Sequence, residues 1–300
     1  MKHPPIRSFI LIALLASAPT ASAQLTIPEK NVTNEVSFEN APERTNDAFP
    51  LSDQENTLGW QRRIDLSDEF ERPQLNTHRW YPTNPTWKGR KPTFFHRSNV
   101  RVDDGELVLS INKHGNQKLP DGYTHTSGFI VSRKLVKYGY LEAELKLMDA
   151  PWVSGFWISN HQKHWWTEID ICENCPSEQD QAHDLNSNIH VFKSPPDQGD
   201  VKEHFSRNKK YRVPFVLHDD YHVWGLQWDP EKIRFYIDGV LFREADNTHW
   251  HQPLQININN ESNKWFGALP DDNRTDREYR VRYLRVWQLE DPTWEADDKK

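Results

Sequence analysis

Between residues 59 and 288 the chain alternates apolar and polar positions in short runs, each bounded by Gly, Pro, Asn or Asp. Successive residues of a strand point to opposite faces. Runs of this kind, rich in Val, Ile, Tyr, Phe and Trp, predict strands at 98–102, 106–111, 128–133, 140–147, 155–159, 186–192, 222–228, 233–237, 254–258 and 279–288. Asp104-Gly105 and Asp238-Gly239 each lie between two such runs and are strong hairpin signals. No long segment carries a 3.6-residue apolar stripe, so the class is all-β. A stretch of about 230 residues suits one large sandwich or barrel.

The ends of the chain have a different texture. Residues 1–23 read as a secretory signal peptide: Lys2 and Arg7 precede a short apolar run, and Ala21-Ser22-Ala23 offers a small-residue cleavage site before Gln24. The apolar run is too short to span a membrane, and an exported product is expected. Residues 24–57 are polar and read as a flexible leader, 58–290 as the folded domain and 291–300 as a polar tail. The net charge is -7, and removing residues 1–23 makes the chain more acidic by two. That balance argues against nucleic acid or an anionic membrane as a partner. Cys172 and Cys175, the two cysteines of the chain, are spaced C-x-x-C without a βαβ context. They read as a small-loop disulfide or as two free thiols.

The chemistry concentrates in residues 165–174, WWTEIDICEN. By strand period Glu168 and Asp170 share a face opposite Ile169 and Ile171, but Glu173 falls on the apolar side. An unpaired charge there is costly. A one-residue bulge near Cys172 would return Glu173 to the face of the other two acids, which is how bulges re-aim side chains beside active sites. Two carboxyl groups about 5 to 5.5 Å apart serve retaining glycoside hydrolysis, and a third acid between them raises a neighbour's pKa. A calcium site and a solvated edge strand remain the plainer alternatives at this point.

Glu168-Ile169-Asp170-Ile171-Cys172-Glu173 resembles the bulged E-x-D-x-x-E signature of glycoside hydrolase family 16. The segment 66–80 is similar to the family's amino-terminal D-E-F segment, 138–143 to its Y-G-x-x-E strand, 222–239 to its paired late strands, and 283–287 to its closing Y-x-R-V-W. The resemblance implies a β-jelly-roll sandwich of two curved antiparallel sheets with an open substrate cleft. It implies retaining hydrolysis of a β-linked glycan with Glu168 as nucleophile, Glu173 as general acid/base and Asp170 between them. It implies no cofactor for catalysis and allows a structural calcium ion, whose ligands the sequence does not name. Residues 87–92 and 254–267 further resemble the β-agarase and β-porphyranase branch, which implies a red-algal galactan as substrate; a monomer is expected. A laminarinase-type glucanase and a non-catalytic carbohydrate-binding jelly roll are the competing readings.

Thirteen Trp residues are many for this length. Trp80, Trp224 and Trp287 lie in runs that look structural, whereas Trp87, Trp157 and Trp265 are candidates for stacking on sugar rings. His190 shares a strand face with Asn186 and Asn188 and would reach substrate if that face lines the cleft. Arg90 and Arg133 carry the guanidinium fork that suits a sulfate ester, and Glu261 is a candidate for sugar hydroxyls. Arg90, Arg133 and the nearby His125, His161 and His164 tilt the reading toward porphyran.

Overall fold

The computed structural model describes residues 32–113, 119–177, 181–262 and 277–290. In chain order its first strands are β1 Val32–Glu35, β2 Gln61–Arg62, β3 Trp80–Tyr81, β4 Thr93–Phe95, β5 Val100–Asp103, β6 Glu106–Lys113 and β7 His125–Ser127. Then come β8 Phe129–Ser132, β9 Gly139–Lys146, β10 Val153–His161, β11 Trp166–Asn174, β12 Asp184–Lys193, β13 Phe205–Ser206 and β14 Lys209–Arg212. The last are β15 His222–Trp228, β16 Lys232–Ile237, β17 Val240–Asp246, β18 Gln255–Glu261 and β19 Glu278–Gln288. All ten predicted strands are present. Those absent from the sequence reading are mostly two to four residues long, too short to show a period.

The strands form two sheets. One, the cleft sheet, runs β1-β14-β12-β11-β10-β18-β8-β3 with β13 beside β12. The other, the backing sheet, runs β17-β16-β15-β9-β19-β6-β7-β4, with β2 on β19 and β5 on β6. Pairing is antiparallel throughout the centre of both sheets, and two edge pairs, β1 with β14 and β4 with β7, are parallel. The two Asp-Gly pairs close the β5–β6 and β16–β17 hairpins with positive φ at both central residues, 52° and 75° in one and 47° and 76° in the other. That is the primed turn whose twist matches the strands it joins.

The core lies between the sheets. Ile169 and Ile171 of β11, Ile189 and Val191 of β12, and Ile256 and Ile258 of β18 meet Leu141, Ala143 and Leu145 of β9 and Trp224 and Leu226 of β15, all fully buried. Burying each large apolar side chain contributes about 1.5–3 kcal/mol. Trp80 is buried here too, and Trp287 is buried on the opposite face of the backing sheet, in register with Tyr140.

The leader reading is corrected over residues 32–57. Its β1 joins the edge of the cleft sheet beside β14, and residues 44–51 pack on the outer face of the backing sheet. Glu142 points outward from β9 yet is fully buried, because Arg44 pairs with it and the Leu51 N–H donates to its second oxygen at 2.9 Å. The Trp287 indole donates to the Ala48 carbonyl at 2.7 Å, and Arg285 donates to Asp47 at 2.6 Å. The polar residues that suggested solvation supply partners to buried groups, which an apolar-period reading does not register. Cys172 and Cys175 are both buried thiols with no disulfide between them. Burial, reinforced by Glu173, pushes the Cys172 thiol well up and keeps it protonated. Residues 1–23 and 291–300 lie outside the described residues.

Candidate active site

Strand β11 continues to Asn174 and carries a bulge. Against β10, Glu168 pairs with Ser159, Asp170 with Trp157, Cys172 with Phe156 and Glu173 with Gly155, so Ile171 is the extra residue. Ile169, Ile171 and Cys172 all stay in the core. Glu168, Asp170 and Glu173 line one cavity of about 580 Å³ on the open face of the cleft sheet.

The antiparallel register aligns the floor of this cavity in rows. Glu173, Gly155, Asn259 and Phe129 form one row, and Asn188, Asp170, Trp157, Asn257 and Val131 the next. His190, Glu168, Ser159 and Gln255 form the third. Gly155 leaves room beside Glu173, since a Cβ there would sit 2.6 Å from Asn259 Oδ1. Trp157 is fixed by its indole N–H donating to Asn259 Oδ1 at 2.7 Å. Behind the acids, the Trp250 indole N–H donates to the carbonyls of both Glu168 and His190 at 3.0 Å, tying β11 to β12. Gln252 holds the start of β11, accepting from the Thr167 N–H at 3.2 Å and donating to the Trp165 carbonyl at 2.9 Å.

The acids hold protons that free carboxylic acids would lose. Burial is the largest cause throughout. It raises Glu168 well above the usual range, the charge of Asp170 adds to it, and His190 and the Ser159 hydroxyl oppose it. Asp170 is raised to about 7 by burial, with Arg243 opposing and Glu261 adding. Glu261 is likewise raised to about 7 by burial, although Arg90 lies 3.3 Å away and opposes the shift. The cavity cannot carry all these negative charges at neutral pH, so it keeps at least one proton. His190 Nε2 lies 3.0 Å from Asp170 Oδ2, and burial lowers the His190 pKa.

Trp87, Arg90, Trp157 and Glu261 line the same cavity as the acids. Trp87 packs edge-on to Phe95 at 4.9 Å, and the Arg90 guanidinium lies 5.9 Å from the Trp87 ring centre. Arg133 departs from expectation. It follows the end of β8, stacks 3.8 Å over Tyr81, donates to the Thr77 carbonyl at 2.6 Å and does not line the cavity. Of the histidines, His161 lines the cavity while His125 packs on Trp152. Trp265 lies outside the described residues. Sequence reading missed Ser159, Asn257 and Asn259. The signal was available for the two asparagines, because 255–261 alternates Gln, Asn, Asn and Glu against buried Ile256 and Ile258.

Glu168, Asp170 and His190 bring their donor atoms within 4.8 Å of one another. Two carboxylates and an imidazole lack the set of six or more oxygens that calcium takes. They also sit on the acid stripe, so no step below passes through a metal. Among the described residues no His, Cys, Asp and Glu cluster of three offers itself on the outer face of the backing sheet.

Residues 60–289 match the family model described as β-porphyranase A–D, GH16 domain. The chain belongs to glycoside hydrolase family 16. Within the family it is 26% identical to β-porphyranase B of Zobellia galactanivorans over 254 residues, covering 77% of this chain and 86% of that protein. It is 29% identical to β-porphyranase E of the same organism over 223 residues, covering 69% and 78%. The crystal structure of porphyranase B from Zobellia galactanivorans superposes with a TM-score of 0.68 at 25% identity, covering 76% of this chain and 92% of that one. Membership makes the chain a family 16 endo-glycosidase with a jelly-roll fold.

Proposed function

We propose that the protein is a secreted, monomeric, endo-acting hydrolase of porphyran that retains anomeric configuration. The observation that carries this reading is the placement of Glu168, Asp170 and Glu173 on one stripe of the cavity that Trp87 and Trp157 also line. Glu168 attacks the anomeric carbon while Glu173 gives its proton to the leaving glycosidic oxygen, leaving a glycosyl ester on Glu168. Glu173 then takes a proton from water as the water displaces the ester. Glu168 and Asp170 are both raised by burial and share the proton that the pair keeps near neutral pH, and Glu168 attacks in the form in which Asp170 carries that proton.

The choice of porphyran over agarose rests on Arg90. Its guanidinium faces the cavity beside Trp87, where a planar fork can take the two oxygens of a sulfate ester while the indole supports the sugar's C–H face. His190, expected to reach substrate, does not line the cavity and meets it only through Asp170. Export follows from the signal peptide read at residues 1–23.

The test is reducing-end release by the protein from Gln24 onward on porphyran, agarose, κ-carrageenan and laminarin, with Glu168→Gln as blank. Cleavage of porphyran is expected. Cleavage of agarose alone would remove the sulfate role of Arg90, cleavage of laminarin alone would overturn the galactan reading, and binding without cleavage of any glycan would favour the carbohydrate-binding module.

A further inference from the structure

His190 uses both of its ring nitrogens. Nε2 meets Asp170 Oδ2 at 3.0 Å, and Nδ1 meets Nε2 of His204 at 2.9 Å. His204 lies on the loop between β12 and β13 and is exposed. Its ring stacks on Phe192 with centroids 4.3 Å apart and planes 9° apart, and it lies within 13° of parallel to His190. Trp166 stacks on the other side of this ladder against Phe192 at 3.9 Å, and His161 against Trp166 at 3.8 Å. The ladder holds the His204 ring in place although its loop is exposed. A continuous line of nitrogen and oxygen therefore leads from solvent to the acid stripe.

A neutral imidazole has one N–H and one acceptor nitrogen, so an N···N contact holds a single proton. When Asp170 is ionised, His190 donates to it from Nε2, accepts at Nδ1, and His204 carries its proton on Nε2. When Asp170 is protonated, its O–H donates to His190 Nε2, His190 donates from Nδ1, and His204 carries its proton on Nδ1. Both hydrogen bonds reverse together. The change takes one proton from solvent at His204 Nδ1, passes one from His204 Nε2 to His190 Nδ1, and passes one from His190 Nε2 to Asp170 Oδ2. One proton enters and Asp170 gains one, with both rings neutral at the end. Burial lowers the pKa of both rings, which favours the neutral forms; on His190 it is joined by Arg243 and opposed by Glu168 and Glu173, and on His204 it is joined by His190.

We propose that His204 is a positioning residue that exchanges the proton of Asp170 with solvent through His190. The inference rests on the reading of the cleft as a retaining hydrolase. When Glu168 carries the glycosyl ester its charge is gone, and Asp170, relieved of a like charge, binds its proton less tightly. Release of the ester restores the charge and the proton. Asp170 is buried, and the two imidazoles give it a path that does not cross the bound sugar.

His204→Phe keeps a ring on Phe192 but removes both nitrogens, while His204→Ala leaves space for free imidazole. With porphyran as substrate, both variants should lose about 10-fold in kcat at unchanged KM, below the ~10²–10⁴-fold of a direct proton donor. Added imidazole should restore His204→Ala and leave His204→Phe unaffected. In the unliganded protein, nitrogen NMR should show the His190 and His204 tautomers exchanging together as Asp170 titrates. Wild-type kcat in His204→Phe, or loss in both variants without imidazole rescue, would overturn the relay. Absence of cleavage by the wild type would instead overturn the hydrolase reading, and the tautomer titration would still test the relay.

Discussion

Both sheets carry acids on the face turned away from the core and treat them in opposite ways. On the outer face of the backing sheet, Glu106 of β6, Glu144 of β9 and Glu278 of β19 each meet an arginine: Arg280 and Arg282 at Glu106, Arg282 at Glu144, Arg101 and Arg280 at Glu278. Burial would raise Glu106, but bonds from Tyr221, Arg280 and Arg282 outweigh it and lower its pKa. Burial is likewise outweighed at Glu278, by Arg101 and Arg280. On the cleft sheet the neighbours across the strands are Ser159, Trp157, Gly155, His190 and Asn188, none of them a fixed cation. There the acids face one another and Asp170 rises to about 7. Glu142 and Glu144 of β9 repeat the two-residue spacing of Glu168 and Asp170 on β11, so what separates a structural acid from a catalytic one is the partner it meets.

The comparison breaks hardest at the acids themselves. Glu168→Gln and Glu173→Gln should each lower kcat by about 10²–10⁴-fold or more while the protein stays folded, read as reducing-end release beside a circular dichroism melt. Equal activity would place the stripe with its structural counterpart. The next effect belongs to the backing sheet. Glu142→Ala leaves Arg44 without its buried partner and should cost about 3 kcal/mol of stability, with kcat unchanged, as measured by urea unfolding and initial rates.

Protonation sharpens the contrast further. The pKa of Asp170 is raised from 3.8 to about 7, so between those values the folded state binds more protons than the unfolded chain and stability falls as pH rises. Asp170→Asn should therefore stabilise the fold by on the order of 2 kcal/mol at pH 8 and change it little at pH 4. Glu106 and Glu278, with lowered pKa values, contribute stability that is present above the ordinary carboxylate range and lost as pH falls below it. The smallest effect is expected at Glu144→Gln, an exposed pair that should cost less than about 1 kcal/mol and shrink further in high salt.

This contrast also marks what was legible in the sequence. The ten long strands, both Asp-Gly hairpins and the bulge that turns Glu173 into the cleft follow from alternation and the cost of burying a charge, which are local properties. Trp87, Arg90, Trp157 and Glu261 reach the cavity as expected, His190 touches Asp170, and Arg133 does not reach it. Its fate depends on Tyr81 and the Thr77 carbonyl, brought near by the β3–β8 pairing. The packed segment 32–57 escaped notice for the same reason: Arg44 and Glu142 are 98 residues apart in the chain. Trp250, which braces the two strands of the acid stripe from behind, belongs with these long-range contacts.

The central claim is that the cleft stripe supplies a nucleophile and an acid/base acting by double displacement. Proton NMR of the reducing ends first formed from porphyran tests it most directly. The β-anomer is expected ahead of mutarotation, and no product with Glu168→Gln. First appearance of the α-anomer would contradict it.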